Sequence, residues 1–310
     1  MKAGFFGTPH IASYCLEKLL EEYSIEFVVT SPDKPAGRGR KLRPSQVKEL
    51  AMEKGIPVLQ PQTLKNPSLP GQLEEFKCDI YVVVAYGKLI PDEIFSIPPH
   101  GTINLHPSLL PRYRGAAPIQ WALINGEEKT GVTVQKISRE LDAGDILMQD
   151  EIHIPIDMTA ADLYDIVLPM GAKMLKKTMA GLGDGTVHPI PQDHSKATYC
   201  GKIDTETARI NWKDASLSIH NLVRGLNPRP AAWTTFREKK MKIWSTMPVE
   251  DDIPGDSAPG TIHVLPGKRL AAQTGKGLLE ISILQPETKK AMDSRSFING
   301  YHPEENEHFS

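Results

Sequence analysis

The chain has 310 residues, 40% of them apolar and 24% charged, which is long enough to bury two cores rather than one. Its 36 Lys and Arg against 38 Asp and Glu give a formal net charge of −2, which excludes whole-chain attraction to a polyanion, so any nucleic acid must meet a local patch. Three scattered cysteines, Cys15, Cys78 and Cys200, exclude a disulfide framework or a CxxC zinc ribbon; with no signal-peptide core and no apolar run of the roughly 20 residues that span a bilayer, a soluble cytoplasmic protein is expected.

In chain order, short apolar runs at residues 3–6, 25–30 and 80–85 read as strands, and they alternate with helical spacing at 11–22 and 45–54. That alternation predicts βαβ units on a parallel or mixed sheet, a Rossmann-like α/β domain. Further strands are expected at 102–106 and 130–137, a helix at 117–125 closed by Gly126, and a long helix capped by Thr159 and reaching about residue 182. From 181 to 202 glycine, proline and polar residues replace any hydrophobic period, which reads as a linker. Beyond it, one helix at 215–225 and strands at 232–236, 240–244, 260–264 and 277–284 predict a small β-barrel. The expected domains are residues 1–190 and 206–310, joined through 191–205.

The segment richest in chemistry begins at Asn104 and His106, at i and i+2 on an expected strand end, where both side chains leave one face. Asp142 follows the next strand and is expected at the carboxyl edge of the sheet, where α/β folds gather their sites. An amide and an imidazole can donate to a developing oxyanion, and a carboxylate beside the imidazole stabilises its charged form and can take a proton from an attacking amine. Spacing alone leaves open a plainer reading, in which His106-Pro107 ends a strand and Asp142-Ala143-Gly144 is only a turn. Ser108 lacks a GxSxG setting and no histidine pair has HExxH spacing, so neither a covalent nucleophile nor a metal is expected.

With Ser108-Leu109-Leu110-Pro111-Arg112-Tyr113-Arg114-Gly115 and Asp142-x-Gly144-Asp145-Ile146, the Asn104, His106 and Asp142 trio resembles the formyltransferases that use 10-formyltetrahydrofolate. The resemblance implies that Asn104 and His106 polarise the formyl oxygen, while Asp142 orients His106 and relays the amine proton. It also implies a folate site walled by Ser108, Leu109, Leu110 and Pro111, with Tyr86, Gly87, Lys88, Leu89, Ile90 and the backbone around Leu141 holding the pterin. No metal is implied.

Lys34, Arg38, Arg40, Lys41 and Arg43 form a basic run opened by Gly and Pro, after the second expected strand. On composition alone a loop that is merely solvated is the favoured reading; its place on the carboxyl edge shifts the balance toward a phosphate-binding one. The run resembles the insertion found in the branch of the family that formylates methionyl-tRNA, where it meets the acceptor stem. The resemblance continues through Ala208-Arg209-Ile210-Asn211-Trp212 and Arg224-Gly225-Leu226-Asn227-Pro228, and implies a C-terminal OB-like domain that contacts tRNA, with initiator methionyl-tRNA as partner; a monomer is expected. That domain carries 14 Lys and Arg against 13 acids from Glu206 onward, so only one face of it can be basic. Trp212, Trp233 and Trp244 are expected in its core rather than as base-stacking platforms. Ile11 stands where the family has an aromatic and Arg229 where it has a tryptophan. Gly7-Thr8-Pro9 is no dinucleotide fingerprint.

Overall fold

Strands buried on both faces need near-continuous apolar runs, and the first half of the chain supplies them. The computed structural model describes residues 1–36, 41–249, 257–304 and 307–310. In chain order the elements are β1 (Lys2–Gly7), α1 (His10–Leu19), β2 (Ser24–Val29), β3 (Lys34–Ala36), β4 (Lys41–Arg43), α2 (Gln46–Glu53), β5 (Val58–Leu59), α3 (Leu69–Glu74), β6 (Ile80–Val84), α4 (Asp92–Phe95), β7 (Thr102–His106), β8 (Arg114–Gly115), α5 (Pro118–Ile124), β9 (Lys129–Lys136), β10 (Ile146–His153) and α6 (Ala160–Gly183). They continue as β11 (Tyr199–Cys200), α7 (Ser216–Gly225), β12 (Ala232–Phe236), β13 (Lys239–Val249), β14 (Ile262–Leu265), β15 (Arg269–Gln273), β16 (Leu278–Pro286), β17 (Met292–Asp293) and α8 (Ser294–Tyr301).

Two compact units divide the chain. The first comprises Met1–Gly115, Gly131–Ile152 and Asp165–Tyr199, and the second Ala116–Thr130, His153–Tyr164 and Cys200–Ser310. The second unit therefore draws two short stretches from within the first two hundred residues.

The first unit is built on a sheet of order β10-β9-β7-β6-β1-β2-β5. β1 runs parallel to β2 and β6, β6 parallel to β7, and β2 parallel to β5, while β9 is antiparallel to β7. The fold is thus the expected Rossmann-like α/β domain with a mixed sheet. One face carries an aromatic cluster: Phe6, Phe27 and Tyr81 pack with ring centroids 5.4–5.9 Å apart, two of the three pairs edge to face, the arrangement that sets ring edges against π faces. Ser45 caps α2 by accepting from Lys48 N at 3.1 Å, and its hydroxyl also meets Thr30 Oγ1 at 2.7 Å.

The stretch expected as a linker is partly ordered. Ile190 exchanges two 2.8 Å backbone bonds with Ile146, and Gln192 is buried. Isolated backbone pairing and polar contacts hold this stretch, and neither leaves a hydrophobic period.

The second unit carries an antiparallel sheet of order β12-β13-β16-β15-β14, with β17 paired to β16. β13 is bulged between Ile243 and Thr246, which bends the strand as a barrel-like wrap requires. Trp212 lies in the core, stacked on Phe309 at 5.4 Å with Nε1 donating to Thr234 Oγ1. Trp233 packs against that core while half-buried, and the half-buried Trp244 departs from expectation, with the ammonium of Lys240 4.1 Å above the first ring and that of Lys242 5.6 Å above the second. α5 packs on α7 at Gly225, where a Cβ would press on Ile124 and the Gln120 carbonyl at 2.9–3.1 Å. Among the described residues no helix is long and apolar enough to cross a membrane.

α7 also holds His153–Tyr164 through polar side chains. Arg224 donates to Pro155 O and Met158 O, and His220 Nε2 donates to Ile156 O at 2.8 Å. Burial pushes the His220 pKa below the ordinary 6.5, although the Ile156 bond works the other way. The folded ring stays neutral at pH values where an unfolded one takes up a proton. Its contribution is therefore complete above about pH 6.5 and is lost as pH falls below that value. Thermal melts from pH 7.5 to 5.5 should show a falling midpoint, and His220→Gln should flatten that fall; an identical pH slope in the variant contradicts the assignment.

Candidate active site

β7 presents Asn104 and His106 on one face, and the antiparallel register sets Gln135 of β9 opposite Asn104 and Thr133 opposite His106. Directly opposed residues share a face, so two amides, a hydroxyl and an imidazole line one strip. The same register corrects the expected approach of Asp142. β9 runs against β7, so the chain leaves β9 at the amino end of β7, not at the carboxyl edge. The loop from 137 to 145 then doubles back over the strip. Lys136 N pins this return by donating to Asp145 O at 2.9 Å, and Gly144 lies so close to the Lys136 carbonyl that a Cβ would collide with it. Asp142 itself sits in the left-handed region, with φ of +50°.

Asp142 is well supplied with donors. Its Oδ2 accepts from Gly115 N at 2.8 Å, and its Oδ1 accepts from Gln135 Nε2 at 3.0 Å and, at the limit of a hydrogen bond, from Asn104 Nδ2 at 3.5 Å. His106 Nδ1 lies 3.6 Å from Asp142 Oδ2, close for charges but long for a hydrogen bond. What fixes the ring is its other nitrogen: Nε2 meets Tyr113 O at 2.9 Å, and a carbonyl only accepts, so Nε2 carries the proton. The Nδ1 edge, facing Asp142, is where a proton can be gained or handed on. Both side chains are largely withdrawn from water, 5% and 11% exposed, which strengthens any field they exert.

Behind this strip lies a buried polar relay. Gln192 Nε2 reaches Gln135 Oε1, Asp142 O and Gly144 O at 2.7–3.1 Å, and Gln192 Oε1 accepts from Arg114 Nε and one terminal nitrogen at 3.2 and 2.7 Å. Arg114 is the bulkiest fully buried side chain among the described residues.

The expected folate residues lie on two neighbouring loops. The register Val84↔Leu105 places the turn holding Tyr86, Gly87, Lys88, Leu89 and Ile90 beside the one holding Ser108, Leu109, Leu110 and Pro111, both at the carboxyl edge. The second loop is pinned by Thr133, whose hydroxyl donates to Ser108 O at 2.6 Å and accepts from Leu110 N at 3.3 Å; Gln149 Nε2 adds a bond to Leu110 O at 3.0 Å. Lys88 Nζ donates to the carbonyls of Pro61 and Gln62. Leu89 and Leu141 are large apolar side chains left 72% and 52% exposed, and the buried Tyr86 Oη has no hydrogen-bond partner among the described residues.

The basic run forms a hairpin, β3 paired with β4, with Lys34 opposite Arg43 and both exposed. Its base is anchored by Asp33, which accepts from Lys48 Nζ and from Gln60 Nε2, both at 2.8 Å, and Lys48 holds the Asp33 carboxyl below its ordinary pKa. The hairpin follows β2, three strands from β7, or about 15 Å across the sheet. Arg38 and Arg40 lie outside the described residues, and Lys41 is described only by its backbone pairing with Ala36.

Gln135, Thr133, Gln149 and Gln192 escaped the reading of the sequence. Gln135 and Thr133 could have been found, because polar residues alternating with Val132 and Val134 mark one strand face aimed at something polar. Nothing local marks Gln192. Among the described residues no group of three or more His, Cys, Asp or Glu converges as metal ligands do. Burial pushes the Cys15 and Cys78 thiols up to about 12, so neither is a nucleophile.

The Formyl transferase family model matches residues 1–179, and the model for the Formyl transferase C-terminal domain matches residues 202–302. Curated relatives include the methionyl-tRNA formyltransferases of Acetivibrio thermocellus, 42% identical over 97% of both chains, and of Ruminiclostridium cellulolyticum, 43% identical over 97% of this chain and 96% of the other. Among solved structures, the sugar 3N-formyl transferase WlaRD superposes with a TM-score of 0.68 at 21% identity, covering 94% of this chain and 99% of the other. HypX from Aquifex aeolicus in complex with tetrahydrofolic acid gives 0.62 at 19% identity over 97% of this chain, which spans about half (47%) of that longer one. These two similarities speak to fold alone. With both models matched and relatives above 40% identical along nearly its whole length, the chain belongs to the formyl transferase family, in the branch of the methionyl-tRNA formyltransferases.

Proposed function

We propose that the protein transfers the formyl group of 10-formyltetrahydrofolate to the free α-amino group of initiator methionyl-tRNA, by direct attack of the amine. The observation that carries this reading is the convergence of Asn104, His106 and Asp142 on one strip. In this division of labour residues 1–190 do the chemistry, residues 206–310 contact tRNA, and 191–205 join them; the protein acts as a cytoplasmic monomer that binds no membrane.

The residues assigned to the donor suit it. A pterin is a flat ring with polar edges. Leu89 and Leu141 offer the kind of uncovered apolar surface such a ring covers, the unpartnered Tyr86 Oη offers a polar contact, and the loop of Ser108, Leu109, Leu110 and Pro111 is held rigid by Thr133 and Gln149. When bound, 10-formyltetrahydrofolate supplies an activated formyl group attached to nitrogen.

The chain's own groups handle charge and protons. As the amine nitrogen bonds to the formyl carbon, negative charge grows on the formyl oxygen, where Asn104 Nδ2 and a protonated His106 Nδ1 can donate, and it is lost when the carbonyl re-forms and the bond to the donor nitrogen breaks. The attacking nitrogen must shed a proton and the departing one must gain one. Asp142 Oδ2, next to His106 Nδ1, receives the first and passes it on. Free α-amino groups titrate near pH 8, so a usable neutral fraction exists at neutral pH.

Replacing Asp142 by Asn should lower kcat by about 10²–10⁴ while the folate dissociation constant shifts only severalfold; unchanged turnover would remove Asp142 from the mechanism. Changing Lys34 and Arg43 to Ala should weaken use of tRNA and reduce the slope of log KM against log salt by about 1 to 2, and an unaltered slope argues against the hairpin as a phosphate contact. The reading as a whole is tested by supplying 10-formyltetrahydrofolate with either charged initiator tRNA or an amino-sugar nucleotide. Formyl should appear on the methionyl amine; transfer only to the sugar overturns the proposal.

A further inference from the structure

The buried relay behind the strip has a fixed polarity, and we infer that Gln192, set by Arg114, is a positioning residue that aims the Asp142 carboxylate for formyl transfer. This inference rests on the function proposed above. An amide can ordinarily face either way, but a guanidinium has only N–H donors, so the group facing Arg114 must be Gln192 Oε1. The remaining end, Nε2, then has to donate into the loop. It meets Asp142 O at 2.9 Å and Gly144 O at 2.7 Å, which hold the backbone of the loop, and Gln135 Oε1 at 3.1 Å. That last bond settles the second amide in turn: with its oxygen occupied, Gln135 presents Nε2 to Asp142 Oδ1 at 3.0 Å.

Donation therefore runs in one direction, from guanidinium to Gln192 to Gln135 to carboxylate. With Oδ1 held in this way, Oδ2 is left toward Gly115 N and the Nδ1 edge of His106. Arg114 is itself held from the far side, by His194 Nδ1 at 3.2 Å and Tyr199 Oη at 3.4 Å. Gln192 reaches the strip at Gln135, Arg114 is one bond further back through Gln192, and both act on the chemistry through Asp142.

Gln192→Glu separates positioning from mere support. The carboxylate still accepts from Arg114, so that buried cation keeps its partner, but no N–H remains for the loop. Gln135 must then turn over to donate to the new carboxylate, which sets its oxygen against Asp142 Oδ1. In the full-length enzyme, assayed with 10-formyltetrahydrofolate and charged initiator tRNA, kcat should fall about 10- to 100-fold while both KM values stay within about threefold. Gln192→Met, which has similar length and no charge, gives the same readout if the first variant folds poorly. A kcat retained within about twofold in both variants, or a loss residing wholly in KM, overturns the inference. A wild-type chain that formylates no methionyl-tRNA is instead a failure of the function proposed above.

Discussion

A carboxylate with 11% of its side chain exposed is tolerable only when its oxygens are met by donors, and at Asp142 those donors come from three separate stretches of chain. Asn104 comes from β7, Gln135 from β9, and the Gly115 amide from the end of the loop that follows His106. Each contact demands something of the fold. β9 must run antiparallel so that its loop can double back, Gly144 must lack a Cβ so that the loop can close on Lys136, and Asp142 must adopt a left-handed conformation that costs most residues about 1 kcal/mol. The segment between His106 and Gly115 must also turn sharply, which Tyr113 does at φ of +60°, with its amide donating to Thr198 Oγ1 and the next amide to Thr198 O. The carboxylate is thus the point where the mixed sheet, the 106–115 loop and the 181–199 stretch are made to agree.

Much of the frame was legible in the sequence because it depends on local regularities. β7 was expected at 102–106 and is found there, since a short apolar run with alternating faces has few other solutions. α6 was placed to within a residue by Thr159, which shares a reciprocal bond pair with Asp162. Elements held by partners far along the chain were not legible. β10 reads as mixed polar residues from Gln149 to Glu151 because one side of it is open to solvent, β15 is short, and α8 begins with Asp293 capping Ser296 N and buries only Phe297. The trio was recognisable, but its supports were not. Gln192 owes its place to Arg114, 78 residues earlier, a relation no window of sequence contains.

The route by which the chain reaches Asp142 has a general physical lesson. A strand followed by a loop is easily assigned to the carboxyl edge when every strand is taken as parallel. One antiparallel strand, β9, second from the edge of the sheet, sends its loop to the opposite edge, and only a return across the face restores the site. That return buries the loop's polar groups, which explains why amide side chains such as Gln135 and Gln192 crowd behind it: each donates to a carbonyl or carboxylate that the return has taken out of water. In the second unit a similar demand is met at α7, where buried His220 and Arg224 donate to carbonyls of residues 155–158. Its core is apolar around Trp212 and Phe309, and its ring faces under Lys240 and Lys242 are stabilised by cation–π contact.

The mechanism turns on where a formyl oxygen sits when the donor is bound. A crystal structure of the full-length protein with a formyl-bearing tetrahydrofolate should place that oxygen within hydrogen-bond distance, about 3 Å, of Asn104 Nδ2 and the Nδ1 edge of His106, with Asp142 still held by Gln135 and Gly115. A formyl group turned away from both, or a folate bound elsewhere on the molecule, would contradict it.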